Sequence, residues 1–331
     1  MSPTTPDALP PIRVPTVPGL TGLEVLARGG YATVYLARQE SVGRPVAVKV
    51  EHRALADEDD QRRFLREAQA AGEMSGHPHV VDLFDAGVTA EGHPYLIMEL
   101  CAGTYADRMV RSPLGPVEVR DVGVKIADAL ADAHALGVLH RDVKPANILE
   151  SRFGEPSLAD FGLAVLAETR DQSLALDVLT PAYAPPELFR HSTAPSAAAD
   201  VYALAASLYA MLRGGPPRWR DDNMPSLFAL IELFKEPIPD IPGVGPLLLD
   251  VLRVAMDNEP ARRPTASRFR DELARLPIDA LGVATTSVFA PSPRSDETVS
   301  WASETQSRQD RLNPDGAPQD RLGADVVPSD Q

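Results

Sequence analysis

The sequence predicts an α+β fold made of two lobes, a small mainly-β lobe followed by a larger mainly-α lobe. The chain has 331 residues, which at roughly 100–200 residues per domain gives two domains or one two-lobed domain with flanking tails. Hydrophobic residues make up 44% of the chain, enough to bury a sizeable core. Strand-like runs occupy the first third of the folded part, and helical periodicity occupies the remainder.

Two flanking segments differ in composition from the middle of the chain. Residues 1–18 contain six prolines and little charge, so we expect a disordered proline-rich leader. Residues 277–331 carry nine Asp or Glu and four Arg, hence a net charge of −5, and we expect a disordered acidic tail rich in Ser, Thr and Pro. The folded part is therefore predicted at 19–276, with the N-lobe at about 19–100 and the C-lobe at about 101–276.

The N-lobe pattern consists of short β-branched runs interrupted by one helix. The helix is predicted at 57–74, because acidic residues at its start suit the helix dipole and Phe64, Leu65 and Ala68 recur at helical spacing. The strands are predicted at 23–26, 34–36, 45–50 and 94–100.

The C-lobe pattern is helical. A helix is predicted at 117–136, where apolar residues recur on one face. The segment 197–212 is apolar nearly all round, which indicates a buried helix. A last helix at 264–276 opens with Pro-Thr and closes the domain.

Charge and cysteine content exclude several classes of protein. The net charge of −15, from 32 basic and 47 acidic residues, argues against a protein that coats nucleic acid. The single cysteine, Cys101, excludes an intramolecular disulfide framework and fits a reducing compartment. No run of about 18 apolar residues is present, so we expect no membrane segment and a cytoplasmic location.

Two motifs in the N-lobe suit phosphate binding, although each is weak alone. The glycine-bearing segment 27–34 lies between two predicted strands, where backbone N–H groups can approach phosphate oxygens; most such segments are ordinary turns. Lys49 ends a run that should be buried, and a buried ammonium needs an anion. Glu67 of the following helix offers one, but for Val46-Ala47-Val48-Lys49 alone a strand-end lysine that reaches solvent is the better interpretation.

The segment 140–147, His-Arg-Asp-Val-Lys-Pro-Ala-Asn, is far more specific. Asp142 can accept a proton, Lys144 can hold a transferring phosphoryl group, and Asn147 can ligate a divalent metal. Eighteen residues after Asp142, the sequence Asp160-Phe161-Gly162 suits a second metal ligand on a hinge. The alternative is a polar loop that caps a helix.

These motifs together resemble the catalytic core of the protein kinases, and most closely the bacterial eukaryotic-like (Hanks-type) serine/threonine kinases. The resemblance covers 19–276, about 258 of 331 residues, and includes Pro-Pro-Glu at 185–187, Asp200 and Arg263. It implies a bilobal protein kinase fold. Ala27 and Ala32 stand where the loop usually has glycine. The bias of 28 arginines over four lysines suggests an actinobacterial source.

The resemblance implies an ATP site between the lobes. The glycine loop would cover the phosphates, Lys49 would contact the α- and β-phosphates, and Met98 would stand at the gatekeeper position. The full nucleotide-binding set that it implies is Ala27, Arg28, Gly29, Gly30, Val34, Ala47, Lys49, Met98, Glu99, Cys101 and Leu149.

The resemblance also implies catalytic and metal-binding roles. Asn147 and Asp160 would hold Mg²⁺, with Mn²⁺ as a second option, Asp142 would orient the substrate hydroxyl, and Lys144 would neutralise the γ-phosphate. Asp200 would brace the backbone of the catalytic loop, while Glu187 and Arg263 would form a structural ion pair. The implied catalytic set is Asp142, Lys144, Lys49, Glu67 and Thr180.

The function so implied is an ATP- and Mg²⁺-dependent protein kinase that phosphorylates Ser and Thr of protein substrates and itself. The alternative is a pseudokinase or scaffold, motivated by Ala27 and Ala32, although no phosphate- or metal-handling side chain is missing. The activation loop would span 163–180, with Thr169 and Ser173 as candidate acceptors.

Partners beyond ATP and protein substrates are less defined. Thr298 of the tail is a candidate phosphorylation site that a phosphothreonine-binding domain could recognise. The alternative, an inert linker, explains the tail at least equally well. No nucleic-acid partner is expected, and homodimerisation is left open.

Overall fold

The computed structural model describes residues 14–161, 181–189, 194–219 and 225–282. Eight strands are present in this part of the chain: β1 Leu20–Arg28, β2 Ala32–Gln39, β3 Arg44–Glu51, β4 Leu83–Val88, β5 Pro94–Met98, β6 Gly103–Thr104, β7 Ile148–Glu150 and β8 Pro156–Leu158. Its α-helices are α1 Glu58–Gly72, α2 Tyr105–Arg111, α3 Pro116–Ala135, α4 Ala197–Arg213, α5 Leu227–Leu233, α6 Pro246–Ala255 and α7 Ala266–Ala274. The predicted two-lobed α+β fold is confirmed.

The N-lobe is one antiparallel sheet with the strand order β1-β2-β3-β5-β4. The central strand β3 is buried at Val46, Ala47 and Val48, as expected for a strand covered on both faces. Because side chains alternate along a strand, Lys49 lies on the same face as Ala47. The register pairs Lys49 with Val34 on one side and with Leu96 on the other, which carries its ammonium towards the cleft between the lobes.

Helix α1 packs against this sheet through one face. The side chain of Asp57 caps it by accepting a hydrogen bond from the backbone N–H of Asp60 at 2.9 Å, a contribution of about 1 kcal/mol. Phe64 and Ala68, one turn apart, are buried against Leu96 of β5. The predicted helical spacing is therefore the spacing of the packed face.

The C-lobe has a single large apolar core around α4. Ser196 caps the start of α4, and Gly214 ends it with a left-handed backbone (φ 87°). Residues 199–212 of this helix are buried, which confirms the prediction from its all-round apolar sequence. Helix α3 approaches α4 and α7 closely at Gly123, where an added Cβ would lie 2.7 Å from Leu208 of α4 and 2.8 Å from Leu273 of α7.

The two lobes are joined by the segment 99–102 and by backbone hydrogen bonds beneath it. Val81 donates to the carbonyl of Leu158 at 3.0 Å, and Leu158 donates to the carbonyl of His79 at 2.9 Å. Strands β6, β7 and β8 form a small sheet here, with Ala102 donating to the carbonyl of Glu150 at 2.8 Å. The catalytic segment predicted from the sequence lies directly before β7.

Both edges of the folded part reach further than the sequence suggested. Val17, from the expected leader, is buried in the N-lobe core, and Leu281, from the expected tail, is buried in the C-lobe core. Residues 1–13 of the leader and 283–331 of the tail lie outside the described residues. Among the helices that the structure describes, none is both long and apolar enough to cross a membrane.

Candidate active site

The loop between α3 and β7 is held by Asp200 at the start of α4. Its carboxylate accepts hydrogen bonds from the backbone N–H of His140 at 2.9 Å and of Arg141 at 2.8 Å, and it contacts Nε2 of His134 at 2.9 Å. Asp200 is only 2% exposed, so these bonds replace the water that its charge has lost. The predicted bracing of the loop backbone by Asp200 is confirmed.

Arg141 shows why this brace is needed. Its backbone is left-handed (φ 71°), a conformation that costs a non-glycine residue about 1–2 kcal/mol. The charge-assisted bond to Asp200 is of similar size and offsets that cost. The strained turn points the next residue, Asp142, into the cleft.

Three polar side chains of the loop converge. Nζ of Lys144 lies 2.7 Å from Oδ2 of Asp142. Asn147, in a short 3₁₀ turn (Pro145–Asn147), donates through Nδ2 to the backbone carbonyl of Asp142 at 2.8 Å and to its Oδ2 at 3.1 Å. Because the amide nitrogen is turned towards Asp142, the amide oxygen of Asn147 is directed elsewhere and can serve as a ligand.

Asp160 follows β8 and is the second strained residue of the cleft, with φ 67°. His140 links it to the catalytic loop, because Nε2 of His140 contacts the carbonyl of Ala159 at 2.8 Å and its ring packs edge-on against Phe161 at 4.8 Å between centroids. Among the described non-glycine residues, Arg141 and Asp160 have positive φ, and both lie in this cleft.

Lys49 and Asp160 form the ion pair of the cleft. Nζ of Lys49 lies 3.0 Å from Oδ2 of Asp160, with the two side chains 20% and 24% exposed. Burial is the largest single influence and acts to lower the pKa of Lys49, but the charges of Asp160, Glu51 and Asp142 and the hydrogen bond to Asp160 together outweigh it, so the pKa is raised. Burial likewise acts to raise the pKa of Asp160, and the charge and hydrogen bond of Lys49 hold it below its ordinary value. Both groups are therefore charged at neutral pH.

Glu51 is an acidic neighbour that the sequence reasoning missed. Its Oε1 lies 3.9 Å from Nζ of Lys49, and burial raises its pKa. Its position two residues after Lys49 on a strand placed it on the same face, which was the available signal. The pairing of Lys49 with Glu67, which is half-buried on α1, stays a prediction.

The apolar wall of the cleft gathers the remaining nucleotide-binding candidates. Val34 and Met98 pack with buried Ala47, and Met98 and Leu149 pack with buried Cys101. Glu99 follows Met98 in the segment that joins the lobes, where its backbone N–H donates to Asp82. Burial raises the pKa of the Cys101 thiol far above its ordinary value, which keeps it protonated.

A cavity opens behind Met98 and reaches the ion pair. It is lined by Ala71, Val80, Val81, Leu83, Leu96, Met98, Leu158, Asp160 and Phe161. Met98 thus lines this cavity and also packs against Ala47, and its gatekeeper role stays a prediction.

The glycine loop joins β1 and β2 above Lys49. Its turn is closed by a hydrogen bond from the backbone N–H of Gly29 to the carbonyl of Ala32 at 2.9 Å, and Arg28 ends β1. A Cβ added at Gly30 would meet nothing within 4 Å, and one at Gly29 would meet only that carbonyl, at 3.5 Å. Packing within the chain does not require these glycines, so the open space beside them is available to a ligand.

The two alanines of the loop are compatible with this geometry. Ala27 pairs with Val34 in the β1–β2 ladder, and Ala32 pairs with Glu51 in the β2–β3 ladder. Neither has the left-handed backbone that demands glycine. The departure from the glycine pattern therefore adds no backbone strain.

The base of the C-lobe holds a buried ion pair between Arg263 and Glu187. Arg263 donates to Glu187 twice, from NH1 at 2.6 Å and from NH2 at 2.8 Å, and also to the carbonyls of Asp257 and Ala198. The predicted Glu187–Arg263 pair is confirmed. Thr180, Gly162 and the acceptor candidates Thr169, Ser173 and Thr298 lie outside the described residues.

The sequence profile described as "Protein kinase domain" matches residues 20–272. The chain therefore belongs to the protein kinase family, whose members generally use ATP and Mg²⁺.

Two curated relatives illustrate the similarity. The chain is 39% identical over 272 residues to the serine/threonine-protein kinase PknK of Mycobacterium tuberculosis. This alignment covers 78% of this chain and 24% of that protein. It is 32% identical over 277 residues to the probable serine/threonine-protein kinase PknB of Corynebacterium glutamicum, with coverages of 78% and 42%. The chain thus spans only part of the length of these relatives.

A solved structure gives the same assignment. The crystal structure of the Mycobacterium tuberculosis PknI kinase domain is similar with a TM-score of 0.58 and 29% sequence identity, over 78% of this chain and 96% of that one. These relatives place the chain among the bacterial eukaryotic-like serine/threonine kinases, as the sequence predicted.

Proposed function

We propose that the chain is an active serine/threonine protein kinase that transfers the γ-phosphoryl group of ATP to hydroxyl groups of proteins. The observation that carries this proposal is the convergence of Asp142, Lys144 and Asn147 in one braced loop, facing the Lys49–Asp160 pair. A structural loop that only capped α3 would not need three charged or amide side chains turned towards each other at the mouth of a cleft.

The residues present fit a divalent metal. Asp160 offers a carboxylate and Asn147 an amide oxygen, and such hard oxygen donors suit Mg²⁺ together with phosphate oxygens and water. No cluster of three or more His, Cys, Asp or Glu side chains suited to a metal occurs in the part of the chain that the structure describes. A site of two protein ligands that relies on the nucleotide for others agrees with that composition. When bound, the metal would neutralise phosphate charge.

The chain would hold the nucleotide by position and charge. Val34, Ala47 and Leu149 provide apolar surface for the base, and the backbone of the glycine loop leaves open space for the phosphates. Lys49 would exchange part of its contact with Asp160 for the α- and β-phosphates. The exchange is feasible because the pair is partly exposed and joined by a single close contact.

The transfer itself would be organised by the catalytic loop. Asp142 would accept the hydrogen bond of the substrate hydroxyl and take its proton as the hydroxyl oxygen forms a bond to the γ-phosphorus. The bond from that phosphorus to the β–γ bridging oxygen breaks, and ADP leaves. Lys144, which already lies 2.7 Å from Asp142, would stabilise the negative charge on the transferring group.

Phosphoryl transfer from labelled ATP to a generic acceptor protein and to the chain itself tests this proposal. We expect Asp142→Asn to lower the rate about 10²–10⁴-fold, the range for loss of a general base. The matched control is Asp121→Asn on α3, where a half-exposed carboxylate pairs with Arg120 at 2.7 Å and removal should leave the rate unchanged. A wild-type protein that binds Mg²⁺–ATP, as a thermal shift, but transfers no more label than Asp142→Asn would instead be a scaffold.

Cellular setting belongs to the same proposal. We expect protein substrates with Ser or Thr acceptors. A cytoplasmic location is supported by the need for ATP and by the cysteine content, a single buried Cys101. Recruitment of a phosphothreonine-binding domain through the tail and homodimerisation stay predictions, as do the activating roles of Thr169 and Ser173. Mass-spectrometric mapping of phosphosites on the active protein tests the phosphorylation sites among them.

A further inference from the structure

His52, the residue that follows β3, holds the glycine loop through several hydrogen bonds. The backbone N–H of His52 donates to the carbonyl of Tyr31 at 2.7 Å, which continues the β2–β3 ladder one step beyond the Ala32–Glu51 pair. The imidazole ring then adds two contacts, from Nδ1 to the carbonyl of Gly30 at 3.2 Å and from Nε2 to Oγ1 of Thr33 at 2.8 Å. One residue thus contacts three positions of the loop and of the strand that follows it.

The chemistry of these contacts is consistent in both charge states of the ring. The carbonyl of Gly30 can only accept, so Nδ1 carries a proton. In the neutral ring, Nε2 then accepts the hydroxyl proton of Thr33, and in the protonated ring Nε2 donates to the same oxygen. Thr33 is 3% exposed and its hydroxyl lies on a well-packed strand, so it is a fixed anchor for the ring.

Gly29 and Gly30 carry no side chain that could fix the height of the loop over the cleft. The turn is closed by the backbone hydrogen bond from Gly29 to Ala32, and an added Cβ at Gly30 would meet nothing within 4 Å. A glycine loop without side-chain packing has many accessible conformations, and ordering it on binding costs free energy. A side chain that holds Gly30 before the ligand arrives reduces that cost.

We propose that His52 is a positioning residue that pre-orders the glycine loop for the nucleotide phosphates by joining Gly30 to Thr33. The inference rests on the proposed nucleotide site. It assigns to His52 an effect on nucleotide affinity and none on the chemical step, because His52 is exposed and its ring bonds to Gly30 and Thr33, which are not among the groups assigned to transfer.

The test compares the ATP dependence of phosphoryl transfer in four single variants and one double variant, each checked for a melting temperature near that of the wild type. We expect His52→Ala to raise KM for ATP about fivefold, the scale of one neutral hydrogen bond, with kcat within about twofold. His52→Asn retains a side-chain N–H near the position of Nδ1 and is expected to recover most of the affinity.

The other two variants separate positioning from general stability. His93→Ala is the matched control, since Nδ1 of His93 contacts the carbonyl of Glu51 at 3.0 Å, on the same end of β3 but not on the glycine loop. It should leave KM within about twofold. Thr33→Val removes the hydroxyl at constant shape, and its effect combined with His52→Ala should be smaller than the product of the single effects, because both act through one contact.

The proposal is overturned if His52→Ala leaves KM for ATP within twofold of the wild type, if His93→Ala raises it equally, or if kcat falls as much as KM rises. It is also overturned if the His52 and Thr33 effects multiply independently. A wild-type protein with neither nucleotide binding nor transfer would remove the proposed function, and with it this role. If the wild type binds ATP and transfers phosphate, and His52→Ala has the same KM for ATP, the role of His52 is refuted while the proposed function stands.

Discussion

The cleft and the base of the C-lobe each hold a cation–carboxylate pair, and the two pairs are built differently. In the cleft, Lys49 and Asp160 share one close contact at 3.0 Å and both side chains remain partly exposed. At the base, Arg263 is 0% exposed and contacts Glu187 through two parallel hydrogen bonds, while further donors are satisfied by backbone carbonyls.

This difference shows which pair can exchange partners. A buried bidentate pair in which every guanidinium nitrogen is hydrogen-bonded is costly to break, so the Arg263–Glu187 pair stabilises the folded C-lobe. A partly exposed lysine with one close contact can move to another anion at small cost, so the Lys49–Asp160 pair is suited to a ligand that brings phosphate and metal. The sequence uses lysine in the cleft and arginine at the base, and the chain has only four lysines in total.

The largest expected effect comes from neutralising the cleft carboxylate. We expect Asp160→Asn to lower phosphoryl transfer about 10³-fold, because the carboxylate proposed to hold the metal loses its charge, while the free energy of unfolding changes by less than about 2 kcal/mol. Asparagine also tolerates the left-handed backbone at this position (φ 67°). Initial rates and chemical denaturation of the same preparation measure both quantities.

Asp85→Asn provides the control for this change, because Asp85 is exposed on β4, where its side chain accepts a hydrogen bond from the backbone N–H of Ala86. The pKa of Asp160 is lowered in the folded state, so its contribution to stability is present at neutral pH and is lost only as the pH falls through that lowered value. If Asp160→Asn lowered the free energy of unfolding by more than about 2 kcal/mol but left the transfer rate near that of the wild type, the cleft pair would be structural.

Breaking the base pair should give the opposite result. We expect Glu187→Gln to lower the free energy of unfolding by about 3–5 kcal/mol, because the charge of Arg263 stays buried without its partner. The rate per folded molecule should stay within a few-fold of the wild type. Glu272→Gln, which removes an exposed i,i+4 pair with Arg268, should change the stability by about 0.5 kcal/mol or less. A comparable effect of both substitutions in denaturation would contradict the assignment.

Asp200 lies between these two cases, since it is buried like Glu187 but acts on the catalytic loop. We expect Asp200→Asn to lower kcat about 10–100-fold, because the amide can replace only part of the acceptors that hold His140 and Arg141. KM for ATP should change less than threefold, since the nucleotide contacts are elsewhere. Steady-state kinetics decide the matter, and a large rise in KM with unchanged kcat would refute the bracing role.

The smallest effect concerns Cys101, next to the apolar wall of the cleft. Because burial raises the pKa of its thiol, we expect the native protein to react with a thiol reagent far more slowly than the unfolded chain. With one cysteine in the chain, the labelling rate reports on this site alone. Fast labelling of the native protein at neutral pH would show that the segment 99–102, which joins the lobes, opens and that the apolar wall of the cleft is not fixed.

Sequence reasoning succeeded where the pattern carries its own physical signal. The apolar helix α4, the face of α1 with Phe64 and Ala68, and the strand before Lys49 all follow from periodicity and burial. The catalytic loop could be located because its residue types are too specific for an ordinary turn. The brace by Asp200 came from resemblance, since no local pattern links residues 60 positions apart.

The elements that the sequence did not predict depend on tertiary contacts. Strand β4 is short and carries Gly87 against the Tyr95 ring of β5, so its pairing is decided by the neighbouring strand. Glu51 and His52 were overlooked because their significance comes from what lies opposite them, Lys49 in one case and Gly30 in the other. Val17 was assigned to the leader by its proline-rich surroundings, although its side chain is buried.

One measurement tests the central claim most directly: phosphoamino-acid analysis of a generic acceptor protein after incubation with the chain, Mg²⁺ and ATP labelled at the γ-phosphoryl group. The account predicts label in phosphoserine and phosphothreonine with the wild type, and background label with Asp142→Asn. Background label with both proteins, or label confined to phosphotyrosine, would contradict it.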